Sequence, residues 1–136
     1  MAQKKYPFIG RGNQRMIVLM SNEEFNIDNG AGTTDDDNLC NLPFECQVID
    51  VRAIYTVATD TAGAASANFK VGIAAGGDTI VAATALAAAK AIGATTTATI
   101  VSDVLPANTT LWVRHTGVAS TEVGNYRVQV TLLPKP

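Results

Sequence analysis

The chain has 136 residues, with Lys+Arg 10 against Asp+Glu 12 for a formal net charge of -2, and only 6% of its residues are aromatic. That length suits one domain able to bury a real core and is too short for two. The near-neutral balance argues against nucleic acid as a direct partner, and no run approaches the roughly 18 apolar residues needed to cross a bilayer, so no membrane partner is expected either.

The first third is electrically split. Residues 1–15 carry Lys4, Lys5, Arg11 and Arg15 and no acid, whereas residues 16–51 carry eight acids and no base. Pro7, Gly10, Gly12 and Asn13 interrupt the basic segment, which is too polar for a core strand or helix and reads as an extended N-terminal arm. Lys4-Lys5 imitate the start of a signal peptide, but Tyr6 to Arg11 breaks off before an apolar stretch of about 7 to 15 residues can form. Synthesis in a cytoplasm is therefore expected. Tyr6 and Phe8 are the apolar anchors that a segment ordering on a partner requires; the competing description is a free tail.

Residues 16–136 read as a single β-sandwich domain. Met16 to Met20 forms a first buried strand, and residues 21–38 follow as a long acidic loop holding Asp28, Asp35, Asp36 and Asp37. Three descriptions of that loop stand side by side. It is a solvated surface; or, with Asn26, Asn29 and Asn38 nearby, it offers the hard oxygen ligands calcium prefers, without EF-hand spacing. In the third, it receives the basic arm of a neighbouring copy, where several ion pairs favour correct register although each exposed pair contributes only about 0 to 1 kcal/mol.

Cys40 and Cys46 are the two cysteines and His115 the single histidine, too few for a four-ligand zinc site. In a reducing compartment the cysteines are expected as small buried apolar side chains, with a disulfide open only if Pro43 folds the segment back.

The clearest strand runs from Gln47 to Ala58, with Ile49, Val51, Ala53, Tyr55 and Val57 on one parity. After a turn, Phe69, Val71, Ile73 and Ala75 alternate up to Gly76-Gly77-Asp78, and Thr79 to Ala83 continues as strand. Ala82 to Ile92 is helical by propensity alone, yet Gly93 and the threonines around it favour extended chain. The expectation is a strand, at most one helical turn near Leu86 to Lys90, and a strand from Thr97 to Val101. Beyond the turn at Pro106-Ala107-Asn108, Leu111, Val113 and His115 alternate with Trp112 and Arg114. In the last strand Tyr126, Val128, Val130 and Leu132 share a face, and Pro134 and Pro136 stop it.

Short strands separated by Gly, Asn and Pro turns indicate an all-β fold, an antiparallel β-sandwich of jelly-roll type. A core of Val, Ile, Leu and Ala is thin, and association of several copies would bury more. No Gly-x-Ser-x-Gly elbow, phosphate loop or dinucleotide fingerprint occurs, and His115 on an apolar parity reads as structural. No catalytic residue, metal or cofactor is assigned, and the chain is not expected to be an enzyme.

Five segments occur in the order Val51 to Val57, Phe69 to Ile73, Asp78 to Ala83, Leu105 to Arg114 and Gly124 to Val130. In strand and turn style this series, over about six tenths of the chain from Asp50 to Leu132, resembles the small β-sandwich proteins of tailed-bacteriophage virions, particularly head decoration or capsid cement proteins. The resemblance implies a homotrimer assembled in the host bacterial cytoplasm and seated on the capsid exterior, with the major capsid protein and its own copies as partners. It does not extend over residues 1–45, so a capsid-contact role for Lys4, Lys5, Tyr6, Phe8, Arg11 and Arg15 rests on charge and composition. The alternative is a carbohydrate- or receptor-binding sandwich of a phage fiber or tail, in which Trp112, on the polar parity, and Tyr126 stack on sugars.

Overall fold

The computed structural model describes residues 15–60, 67–118 and 122–135. The arm residues Lys4, Lys5, Tyr6, Phe8 and Arg11 lie outside them. The described residues form ten strands and no helix: β1 (Ile17–Met20), β2 (Phe25–Asn26), β3 (Thr34–Leu42), β4 (Cys46–Val57) and β5 (Asn68–Gly72), then β6 (Val81–Ala85), β7 (Thr95–Thr97), β8 (Val104–Leu105), β9 (Thr109–Thr116) and β10 (Asn125–Pro134).

Two antiparallel sheets result. One has the order β1-β10-β4-β7, with β2 added to β10 and β8 to β4; the other has the order β3-β9-β5-β6. The pairings are nested: β1 with β10, β3 with β9, β4 with β7 and β5 with β6. A long hairpin rolled on itself gives that nesting, which is the jelly-roll topology expected from the strand pattern. Between the sheets lie Val51, Ala53 and Tyr55 of β4, Leu111 and Val113 of β9, and Tyr126, Val128, Val130 and Leu132 of β10, all fully buried.

The alternation of β10 holds from Asn125 to Val130, after which Thr131 is buried as well as Leu132, and that of β4 breaks. Ile49 is 41% exposed and Val57 39% exposed, while Val48 and Cys46 are buried. The register against β10 shifts between Thr131, opposite Asp50, and Leu132, opposite Val48. The extra residue flips the parity of everything before it, which is how a β-bulge moves a side chain from one face to the other.

Three further expectations change. Met16 to Met20 is not a buried strand; β1 sits at the edge of its sheet with one side exposed. The acidic stretch 21–38 is not one loop, because β2 and the first half of β3 lie within it. The strand foreseen at Thr97 to Val101 is instead β7, at Thr95–Thr97. After β7, Ala98 N–H still donates to Val51 of β4 at 2.8 Å, but Val101 N–H donates to Ile80 of the other sheet's side at 2.7 Å. The chain crosses between sheets there and cannot continue a ladder.

The alanine-rich segment forms no helix because its backbone is claimed elsewhere, a tertiary override of helix propensity. β6 pairs with β5. The connection that follows is tied to the end of β4: the Tyr55 hydroxyl accepts from Ala87 N–H at 2.9 Å, and Thr59 Oγ1 accepts from Lys90 N–H at 2.7 Å.

Candidate interaction surface

The outer face of the β3-β9-β5-β6 sheet carries a charged row. Strand register aligns Asp36 with Arg114 and Arg114 with Lys70. Arg114 donates through Nε and Nη2 to the two Asp36 carboxylate oxygens, each at 2.6 Å, the forked geometry that guanidinium and carboxylate share. This pairing holds the Asp36 carboxyl below its ordinary range, through the Arg114 hydrogen bond first and then the Arg114 and Lys70 charges. A side chain at Gly76 would meet Arg114 Nη1 at 2.6 Å, and its φ of +73° is one that glycine adopts readily. The turn at Gly76 therefore leaves room for the guanidinium.

The other acids of the expected loop do separate things. Successive strand residues face opposite sides, so Asp35 and Asp37 turn away from Asp36. Asp37 is buried and accepts the backbone N–H groups of Asn22 at 2.6 Å and Glu23 at 3.2 Å, fixing the connection from β1 to β2. Asp35 accepts from Asn29 Nδ2 at 2.7 Å. The charge of Asp28, with that of Asp60, helps push the Glu122 carboxyl upward, after desolvation as the leading cause. The four carboxylates thus do not converge. Among the described residues no group of three or more His, Cys, Asp or Glu is placed to hold a metal ion.

Trp112 is half-buried on the same outer face, between Asn38 of β3 and Gly72 of β5. A side chain at Gly72 would strike the Gly77 backbone at 2.5 Å, so the loop after β5 folds down beside Trp112. Tyr126, the second residue of the sugar-stacking alternative, is fully buried and cannot stack on a sugar. It belongs to an inner cluster with Phe25, Phe69 and His115, whose ring centroids lie 5.4 to 6.0 Å apart. His115 is fully buried as well, with its Nδ1 2.5 Å from the Tyr126 hydroxyl. Cys40 and Cys46 are free thiols, and burial raises both.

Arg15 is the one basic arm residue within the described part, and it is exposed just before β1. Beside it runs a feature that sequence reasoning missed. Met16, Val18 and Met20 stand 63%, 57% and 43% exposed along the sheet edge. The signal was present: both parities of residues 16–20 are apolar, which describes either a strand covered on both faces or an edge strand with a bare side.

No protein-family model matches the chain, and no curated protein matches it. A solved structure does. A chain described as "Cyanophage Pam1 capsid asymmetric unit" is 24% identical and superposes with a TM-score of 0.59 over 90% of this chain and 86% of that one. Almost the whole molecule therefore shares its fold with a chain found in that assembly.

Proposed function

We propose that this protein is a non-enzymatic structural component of a phage virion. It seats on the outside of the capsid shell as a homotrimer and cements or decorates it, contacting the major capsid protein and its own copies through the basic arm and the edges of the β domain. The observation that carries this reading is the jelly roll itself, whose likeness to a chain of a cyanophage capsid asymmetric unit extends over 90% of the chain. An exposed apolar sheet edge next to a basic arm supports it, since assembly surfaces bury such features.

Co-sedimentation with capsids tests the reading, comparing full-length protein with a variant lacking residues 1–15. Full-length protein should pellet with its cognate capsid, and failure to do so overturns the assignment. Loss of pelleting on truncation places the main contact in the arm; its retention places it in the β domain. The sugar-binding alternative loses support with Tyr126 buried and Trp112 half-covered, and tryptophan fluorescence should not respond to glycans.

A further inference from the structure

Asn29-Gly30 is the one Asn-Gly step in the sequence. Glycine puts no side chain beside its own backbone nitrogen and moves freely among backbone conformations, so in an open chain that nitrogen readily reaches the side-chain amide before it. The fold holds this step closed from several sides. Asn29 Nδ2 donates to Asp35 Oδ2 of β3 at 2.7 Å. Asn29 Oδ1 is buried so close to the chain after β9 that a side chain at Gly117 would come within 1.5 Å of it. The neighbouring backbone nitrogen is occupied as well, because Gly30 N–H donates to the Val118 carbonyl at 3.1 Å. On either side Val118 N–H donates to the Ile27 carbonyl at 3.1 Å, Gly32 N–H to that of Gly117 at 3.2 Å and Gly117 N–H to that of Thr33 at 2.9 Å. The segment from Ile27 to Thr33 is thereby zipped onto Gly117 and Val118.

We propose that Asn29 is a site of self-modification, converted to aspartate and isoaspartate when this zipper opens, and that the native contacts hold the conversion off. Once the Val118 carbonyl releases it, the Gly30 nitrogen attacks Asn29 Cγ and gives up its proton to water. The new N–Cγ bond closes a succinimide ring, the Cγ–Nδ2 bond breaks, and Nδ2 leaves as ammonia with a proton from water. Water then opens the ring at one carbonyl, giving aspartate, or at the other, giving isoaspartate. Water is the only co-reactant, and nothing is oxidised or reduced. The product does not fit the closed segment. An aspartate at this position replaces the donor that met Asp35 at 2.7 Å with a second carboxylate. An isoaspartate adds a methylene to the backbone where Asn29 already lies hard against Gly117. Conversion is therefore one-way and records that the segment has opened.

The test incubates the full-length protein at mildly alkaline pH, folded in buffer and unfolded in guanidinium chloride, and follows the peptide holding Asn29 by mass spectrometry. Amide-to-acid conversion at that position should be about tenfold or more slower in the folded protein, and the products should include isoaspartate. Asp35→Ala removes the acceptor of Asn29 Nδ2; it should speed conversion of the folded chain about threefold or more and leave the rate in guanidinium unchanged. If circular dichroism shows that variant unfolded in buffer, the two rates of the unaltered protein decide alone. Conversion equally fast in both states, none in guanidinium, aspartate without isoaspartate, or a folded Asp35→Ala protein no faster than the unaltered one overturns the proposal. Capsid binding enters none of these measurements, so the shell-component reading stands or falls separately.

Discussion

The Tyr126 hydroxyl stands 2.5 Å from Nδ1 of His115, with both rings fully buried between the sheets. Burial holds the imidazole below its ordinary pKa, against the smaller opposing pull of the Asp35 charge and the Asn26 backbone. A histidine whose folded pKa is lowered binds a proton more readily in the unfolded chain, so stability is greatest above the unfolded value and falls as pH drops through about 6.5. Thermal melts from about pH 8 to about pH 5 should show the midpoint falling through that window, and His115→Gln should flatten the dependence.

Tyr126→Phe removes the hydroxyl and leaves the buried Nδ1 without it. We expect a loss of about 1 to 3 kcal/mol, read from the urea midpoint at unchanged slope. A loss well below that range would mean that the two rings contribute through packing alone.

The Asp36 and Arg114 side chains are 27% and 29% exposed, so solvent screens their attraction in part. A double-mutant cycle with Asp36→Ala and Arg114→Ala should return a coupling of about 1 kcal/mol. Because the Asp36 carboxyl titrates lower in the folded protein, its contribution is present above the usual aspartate value of about 3.9 and disappears as pH falls through the lowered one.

Gly76→Ala should destabilise by about 1 to 2 kcal/mol, from the positive φ and from collision with the guanidinium. Combined with Arg114→Ala, the collision vanishes and the backbone cost remains. Non-additive losses in the double variant, measured by chemical denaturation, check this assignment.

Asp37→Ala deprives two backbone N–H groups, those of Asn22 and Glu23, of their acceptor. A loss of about 1 to 2 kcal/mol is expected, with faster hydrogen exchange at those two amides as the local readout.

The strand pattern made the jelly roll readable because period-two alternation in β9 and β10 follows directly from one buried face. What stayed hidden was set by partners distant in sequence. Nothing in Ile49-Asp50-Val51 announces a bulge; it arises where β10 runs past β4 with one residue fewer. Asp35, Asp36 and Asp37 looked like loop acids because aspartate is rare in strands, yet Arg114, 78 positions away from Asp36, and the Asn22 and Glu23 amides satisfy two of them. Tyr126 was assigned to the correct face and then given a surface role that its burial excludes. The exposed side of β1 was legible as an apolar parity but not as bare, since coverage depends on which strand lies outermost.

Nested pairing also sets an order of events in the cell. Ile17 of β1 pairs with Leu132 of β10, so the first strand waits for almost the entire chain to be synthesised before its neighbour exists. Contacts this distant close slowly. Until they close, β1 lacks the strand that its backbone hydrogen bonds require. The topology thereby makes closure of this sheet one of the last events of folding, whatever order the inner strands follow.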